Sequence, residues 1–233
     1  MKKTRIFGLF LATLCSITAF ADDNTTPSVS PTANYLDSDN EWQETTSIDD
    51  GEAPLEVTFR ANPQNMDGHT PSYEWHFRKQ GGKEFMVRYE EETTYRFTSS
   101  GTFDIVLKTT LTDTEEQLDS VTIIVAISES KLEFPNAFSP NGDGINDVFK
   151  AKEGFRSIVE FHAYIFNRWG QKLYDWTDPA GGWDGKFNGS DVKDGVYYVL
   201  VKAKGADGRK YNIRKDVNLL RGYIETGSST TTQ

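Results

Sequence analysis

Apolar and polar residues alternate along much of this chain with the period of two that is typical of β-strands. The alternation is clearest in four segments: 55–60, 73–78, 103–111 and 121–127. Turn residues such as Gly81 and Gly82 separate these segments. No stretch of this region has a convincing 3.6-residue apolar period. The pattern therefore predicts a sandwich of two antiparallel sheets with their apolar faces turned inward.

A second β-domain is predicted from Leu132 onward, where the sequence changes in character. Its predicted strands are 158–166, 196–203 and 210–220. Tight glycine-containing turns lie between them. The fold class is accordingly predicted to be all-β, with two tandem Ig-like antiparallel β-sandwich domains at residues 34–130 and 132–224.

The first 21 residues have the features of a cleaved signal peptide. Basic residues precede an apolar run that is too short for a transmembrane helix, and Ala19 and Ala21 supply the small-x-small cleavage pattern. Cys15 also permits a lipoprotein interpretation, but Leu14 before it is larger than the residue usual there. Cleavage after Ala21 is favoured, and no transmembrane segment is expected in the mature chain.

The two ends of the mature chain are predicted to be unstructured. Residues 22–33 are rich in proline, serine and threonine and favour a flexible linker, and the Ser/Thr-rich residues 225–233 favour a disordered tail. The single cysteine lies within the signal peptide, so the mature chain is expected to have neither a disulfide nor a thiol nucleophile.

Charge is distributed unevenly between the two halves. Residues 22–131 carry 8 basic and 22 acidic side chains, a net charge of −14, whereas residues 132–224 carry 14 and 12, a net charge of +2. The mature chain, with 22 basic and 35 acidic groups, has a net charge of −13, which argues against nucleic acid as a partner. Lysine and arginine residues give the last two predicted strands a basic character, either as a solvated face or as a docking surface for an acidic partner or an anionic polysaccharide.

One loop has the spacing of a cation-binding segment. Oxygen-bearing side chains recur at alternate positions and are followed by a turn-permitting glycine; the candidate ligands are Ser139, Asn141, Asp143 and Asp147. Calcium is the cation that such a loop would hold, and it is the only cofactor suggested. The competing interpretation is a turn in which these side chains hydrogen-bond the local backbone.

Nothing in the sequence indicates a catalytic site. The three histidines do not cluster, and the chain has no G-x-S-x-G, H-E-x-x-H or phosphate-binding glycine motif. Tryptophans such as Trp169, Trp176 and Trp183 could form a sugar-stacking platform, although packing over strand ends is favoured for Trp169 and Trp183. Trp75 alternates with polar neighbours and is assigned to the core. The chain is therefore predicted not to be an enzyme.

Two families are suggested by longer motifs. Gly51-Glu52-Ala53-Pro54-Leu55, Tyr73-Glu74-Trp75-His76-Phe77 and Gly101-Thr102-Phe103-Asp104 make the first half resemble a PKD domain. In the second half, the block from Phe134 to Phe149 is followed by Asn167-Arg168-Trp169-Gly170, Trp183-Asp184-Gly185 and Gly195-Val196-Tyr197-Tyr198. These four blocks resemble the gliding-motility-associated C-terminal domain, the type-B sorting domain of type IX secretion cargo in Bacteroidota.

The second resemblance implies a route and a partner. It implies export through the periplasm to the cell surface or the extracellular space, association with the outer membrane, and recognition by the outer-membrane secretion translocon. Because so little cargo accompanies the sorting domain, the chain also resembles a small type-B cargo protein of the PorA kind. The residues to which the second resemblance assigns sorting or recognition are Asn167, Arg168, Trp169, Gly170, Trp183, Asp184 and Gly185.

Two functional hypotheses follow from these resemblances. In the first, the PKD-like half is a binding or adhesive module for a surface polysaccharide or a protein, and the second half secures export. In the second, the chain is an accessory or sensor component that supports the export of other cargo.

Overall fold

A computed structural model describes residues 26–222, which form β-strands joined by turns and contain no helix within that range. The strands of the first half are β1 (Ser28–Val29), β2 (Thr32–Leu36), β3 (Trp42–Thr45), β4 (Ser47–Gly51), β5 (Leu55–Arg60), β6 (Pro63–Gln64), β7 (Pro71–Lys79), β8 (Glu84–Arg88), β9 (Glu92–Phe97), β10 (Gly101–Leu111), β11 (Glu116–Gln117) and β12 (Val121–Ile127). Those of the second half are β13 (Ala137–Phe138), β14 (Phe149–Lys150), β15 (Ile158–Phe166), β16 (Lys172–Trp176), β17 (Gly182–Trp183), β18 (Lys186–Phe187), β19 (Ser190–Asp191), β20 (Gly195–Gly205) and β21 (Lys210–Leu219). The described part of the chain also lacks any helix long and apolar enough to cross a membrane.

The first domain is a sandwich of two sheets. One sheet has the order β4-β12-β10-β7-β8, with β11 paired to β10, and the other has the order β3-β2-β5-β9. Trp75 of β7 and Phe59 of β5 meet across the two sheets with their ring centroids 5.9 Å apart, and both side chains are fully buried. The period-two segments predicted from the sequence coincide with β5, β7, β10 and β12, and the all-β prediction is confirmed.

The prediction of a flexible linker at residues 22–33 is wrong for residues 28–33. Residues 28–29 form β1, which pairs with β6, and β2 begins at Thr32. Ala33 lies opposite Phe59 and is fully buried, so this segment contributes to the first core despite its polar composition. The predicted signal peptide at 1–21 and the predicted tail at 225–233 lie outside the described residues.

The second domain is built on one five-stranded sheet, ordered β13-β21-β20-β15-β16. Two short ladders, β14 with β17 and β18 with β19, accompany it. Trp183 of the β14–β17 ladder packs edge-on against Tyr197 of β20, with a centroid separation of 5.0 Å. The second core therefore lies between one face of the large sheet and the shorter strands.

The two domains share a packed junction. The turn between β20 and β21 places Ala206 among the buried residues of the first core, and the Ala206 carbonyl accepts a hydrogen bond of 3.0 Å from the Ser100 amide. Ser157, which is also buried, accepts a hydrogen bond of 3.2 Å from the Ala53 amide on its hydroxyl oxygen. The second domain thus contributes a residue to the core of the first domain.

Candidate functional site

The motif blocks of the second domain meet at one end of its sheet, called here the distal end. This end comprises the loop 139–147, the turn 167–171 and the segment 183–195. Because β20 runs antiparallel to both β15 and β21, the last residues of β15, the first residues of β20 and the last residues of β21 lie at the same end of the sheet. The other end of β20 reaches the domain junction, so the motifs lie about 34 Å away from it along a strand of 11 residues.

Arg221 ties these blocks together. Its guanidinium donates to the Gly185 carbonyl at 2.9 Å and to the Val192 carbonyl, and it lies 3.2 Å from a carboxylate oxygen of Asp194. A shallow cleft lined by Arg221 also includes the backbone of the 139–147 loop at Gly142. No sequence motif singles out this arginine, because a lone cation after the last strand carries no recognisable pattern.

The turn at 167–170 contains two kinds of residue: some form the turn, and others are exposed to solvent. The Asn167 side-chain oxygen accepts hydrogen bonds of 3.0 Å from the amides of Trp169 and Gln171, and Gly170 has a left-handed φ of 79°. Asn167 and Gly170 build the turn. Trp169, by contrast, is 75% exposed, and the Arg168 guanidinium lies 4.6 Å from the centroid of its ring. The expectation that Trp169 packs over the strand ends is therefore wrong.

An apolar cleft of about 650 Å³ lies beside this exposed tryptophan. Its walls include Leu173, Phe187 and Val196, and Tyr198 stands half-exposed among the lining residues. Apolar clefts with an exposed aromatic side chain are the usual anchor points of protein interfaces. This cleft could not be predicted from the sequence, because its walls come from four separate strands or turns.

In the Trp183-Asp184-Gly185 block, the tryptophan packs in the core of the domain. Trp183 is fully buried, and its indole N–H donates to the Lys186 carbonyl at 2.8 Å. Asp184 accepts a hydrogen bond of 3.1 Å from the Lys186 amide, and Gly185 has a φ of 79°. Trp183 cannot touch a partner directly, so the recognition role implied for it is corrected to one of packing. Trp176 is buried as well.

In the loop 139–147, the predicted calcium ligands bond to the loop itself. The Asp147 carboxylate accepts hydrogen bonds of 2.7 Å from the amides of Gly142 and Gly144, and these donors hold the pKa of Asp147 below its ordinary value. Asp143 accepts from the Asn141 side chain and from the Ile145 amide, each at 2.8 Å.

The remaining candidate ligand, Ser139, is buried, and its amide donates to the Asn146 carbonyl at 2.8 Å. Among residues 26–222, no group of three or more histidine, cysteine, aspartate or glutamate side chains is placed to hold a metal ion. The hydrogen-bonded turn accounts for the geometry of the loop, and calcium binding stays a prediction.

Calcium binding can be tested through thermal stability. If the loop holds the ion, EDTA lowers the melting temperature of the mature chain. The free energy of unfolding that is lost is about 2.7 kcal/mol when calcium is present at a hundredfold excess over its dissociation constant. Asp143→Ala should remove this calcium-dependent part, while Asp119→Ala, an exposed aspartate of the first domain, should leave it in place. Identical melting curves with and without EDTA would contradict calcium binding.

Comparison with known proteins identifies the second domain. Residues 132–216 match the CHU_C type IX secretion signal domain. The chain carries a type IX secretion signal. A domain of this kind implies export to the cell surface or beyond it and an interaction with the secretion translocon. No curated protein matches the chain in sequence.

Three solved structures show loose similarity. One is the Bacteroides ovatus mixed-linkage glucan utilization locus SGBP-B in complex with a mixed-linkage heptasaccharide (13% identity, 74% of this chain and 42% of that chain, TM-score 0.26). Another is the tetra-tandem repeat in the extending region of a large adhesion protein (10% identity, 84% and 68%, TM-score 0.27). The third is dimeric latent PorU from Porphyromonas gingivalis (13% identity, 89% and 21%, TM-score 0.25). The chain thus spans 42% of the first and 21% of the third, and superpositions this loose carry no functional argument.

Proposed function

We propose that this chain is a non-catalytic cargo protein that the type IX system delivers to the cell surface. The outer-membrane translocon of that system contacts the distal end of the second domain. The observation that carries the proposal is the display of Arg168 and Trp169 beside an apolar cleft. The buried Trp183 packs against Tyr197, which lines the same cleft. The packed junction lies at the opposite end of the sheet, so the folded first domain leaves the distal end accessible.

The first domain is then the part that acts at the surface, as a binding or adhesive module resembling a PKD domain. Two aromatic side chains support this role, because Trp42 and Tyr89 are 73% and 67% exposed. Large exposed aromatic residues are frequent anchors for protein or polysaccharide ligands. Trp42 begins the edge strand β3, and Tyr89 follows the edge strand β8, so both lie at the margins of the sandwich.

Trp169→Ala tests the recognition role. Loss of an exposed interface anchor is expected to weaken translocon binding by about tenfold or more. Cell fractionation should therefore show less protein at the surface and more in the periplasm, with an unchanged melting temperature for the purified variant. Trp42→Ala removes an equally exposed tryptophan from the first domain and serves as the matched control, for which normal export is expected.

Other outcomes point elsewhere. Normal surface delivery of Trp169→Ala would contradict recognition through the distal end. Failure of other cargo to reach the surface after deletion of the gene would instead favour the accessory or sensor role.

A further inference from the structure

The outer face of the second domain's sheet, which points away from the second core, carries an aromatic stripe. His162, Tyr164 and Phe166 follow one another on this face of β15, and Tyr198 and Leu200 lie next to them on β20. Their neighbours Ala163, Ile165, Val199 and Val201 point to the opposite face and are buried. Tyr198 is 49% exposed, so the stripe is open to solvent. An exposed apolar patch of this kind usually marks an interaction surface.

The stacking of the rings indicates which class of ligand this stripe fits. The His162 and Tyr164 rings are 4.1 Å apart with their planes at 22°, and those of Tyr164 and Phe166 are 6.3 Å apart at 27°. Rings that face one another along the strand present their edges to solvent. A sugar ring needs an exposed aromatic face on which to stack, whereas the edges of aromatic rings pack edge-to-face against the aromatic side chains of another protein. The stripe therefore favours a protein partner.

Basic side chains surround the stripe. Lys172 and Lys204 are paired on the sheet with Asp175 and Glu160. The exposed cations Lys202, Lys210 and Arg214 have no carboxylate of the described residues within 4.0 Å, and they outnumber the exposed carboxylate of Asp216, which lies opposite Tyr198. Apolar edges inside a rim of unpaired cations fit a protein surface that combines aromatic and acidic side chains.

The first domain of the same chain offers a surface of this chemistry. Residues 26–131 carry 8 basic and 20 acidic side chains, a net charge of −12, against +2 for residues 132–222, which carry 14 and 12. Phe85 on β8 and Tyr89 in the following turn are 46% and 67% exposed, and the exposed carboxylates Glu90 and Glu91 follow Tyr89 in the chain, where Arg88 is the one adjoining cation. This patch is called here the β8 edge.

We propose that the outer face of the second domain's sheet binds the β8 edge of a second copy of this chain. Both surfaces are exposed within one copy, and they differ in charge while sharing aromatic residues. A contact between two different surfaces is head-to-tail, so it extends into rings or filaments. Such an assembly would line up successive copies at the cell surface.

Sedimentation velocity of the full mature chain tests this contact directly. Self-association is expected at about 10 mM salt and is expected to be largely lost at about 1 M salt, because ionic screening shortens from about 30 Å to about 3 Å. Reversing two rim charges with Lys202→Glu and Arg214→Glu, called here the rim variant, should weaken association about tenfold or more. Lys150→Glu with Lys152→Glu changes the net charge equally, beside β14 and away from the stripe, and should associate like the parent.

A mixing experiment identifies the partner surface. Glu90→Lys with Glu91→Lys, called here the edge variant, should also abolish self-association. Mixing the rim variant with the edge variant should restore mixed assemblies, because the two unaltered surfaces attract each other and so do the two reversed ones. Monomers at all concentrations in low salt, equal weakening by the control pair, or no recovery on mixing would each overturn the proposal. Melting curves of the variants establish that all of them are folded.

Discussion

Trp183→Ala is expected to unfold the second domain or bring it close to unfolding, and so to abolish export. The Trp183 side chain is fully buried, with the Phe138 ring 5.4 Å away and the Tyr197 ring 5.0 Å away. Its loss leaves the contact between the β14–β17 ladder and the large sheet to residues such as Phe149, whose ring lies 5.8 Å from that of Phe138, and it leaves the Lys186 carbonyl without its indole donor. Truncating a buried tryptophan costs about 3–5 kcal/mol, a large part of the roughly 5–15 kcal/mol that stabilises a domain.

Urea denaturation of the mature chain measures this loss, and the chain provides its own control. Trp169→Ala deletes the same side chain from an exposed turn and should leave the midpoint unchanged. Trp183→Phe keeps an aromatic ring in the core and should recover most of the stability. A midpoint for Trp183→Ala within experimental error of the parent would show that the indole does not hold the two layers together.

Gly205→Ala is expected to open the junction between the domains. A Cβ added at Gly205 would lie under 3.0 Å from the side chains of both Ser130 and Asp207. Ser130 is buried and bonds to Asp207 at 2.7 Å and to the Tyr211 hydroxyl at 2.9 Å. Relief of the overlap must displace these groups and, with them, the neighbouring Ala206 in the first core. Overpacking of this kind costs about 1–3 kcal/mol.

The expected signature is a loss of cooperativity between the domains. The variant should melt at a lower temperature, and limited proteolysis should cut the connection near residues 128–131 faster than in the parent. Gly222→Ala, where an added Cβ meets no atom within 4 Å, is the control. Ser130→Gly combined with Gly205→Ala removes the nearest obstacle and should restore part of the stability. If Gly205→Ala were cut at the same rate as the parent, the junction would have accommodated the added methyl group without losing stability.

The strands and several of the turns are predictable from local sequence patterns. Period-two alternation in segments such as 55–60 and 73–78 predicts strands because successive side chains of a strand point to opposite faces. The turn at Gly170 is predictable because the preference of glycine for such positions is local. The type IX resemblance, likewise, depends on ordered motif blocks that can be read along the chain.

Local patterns do not show which of these residues are exposed and which are buried, because that depends on the three-dimensional fold. Trp169 and Trp183 both lie beside glycine in short motifs, yet one is exposed and the other is in the core, because burial depends on strands distant in sequence. Ala206 joins the first core from the far end of the second domain, so the sequence boundary at Leu132 does not coincide with the packing boundary. The aromatic stripe was equally hidden, since segment 158–166 is apolar on both faces and its outer face is defined only by which side the second core covers.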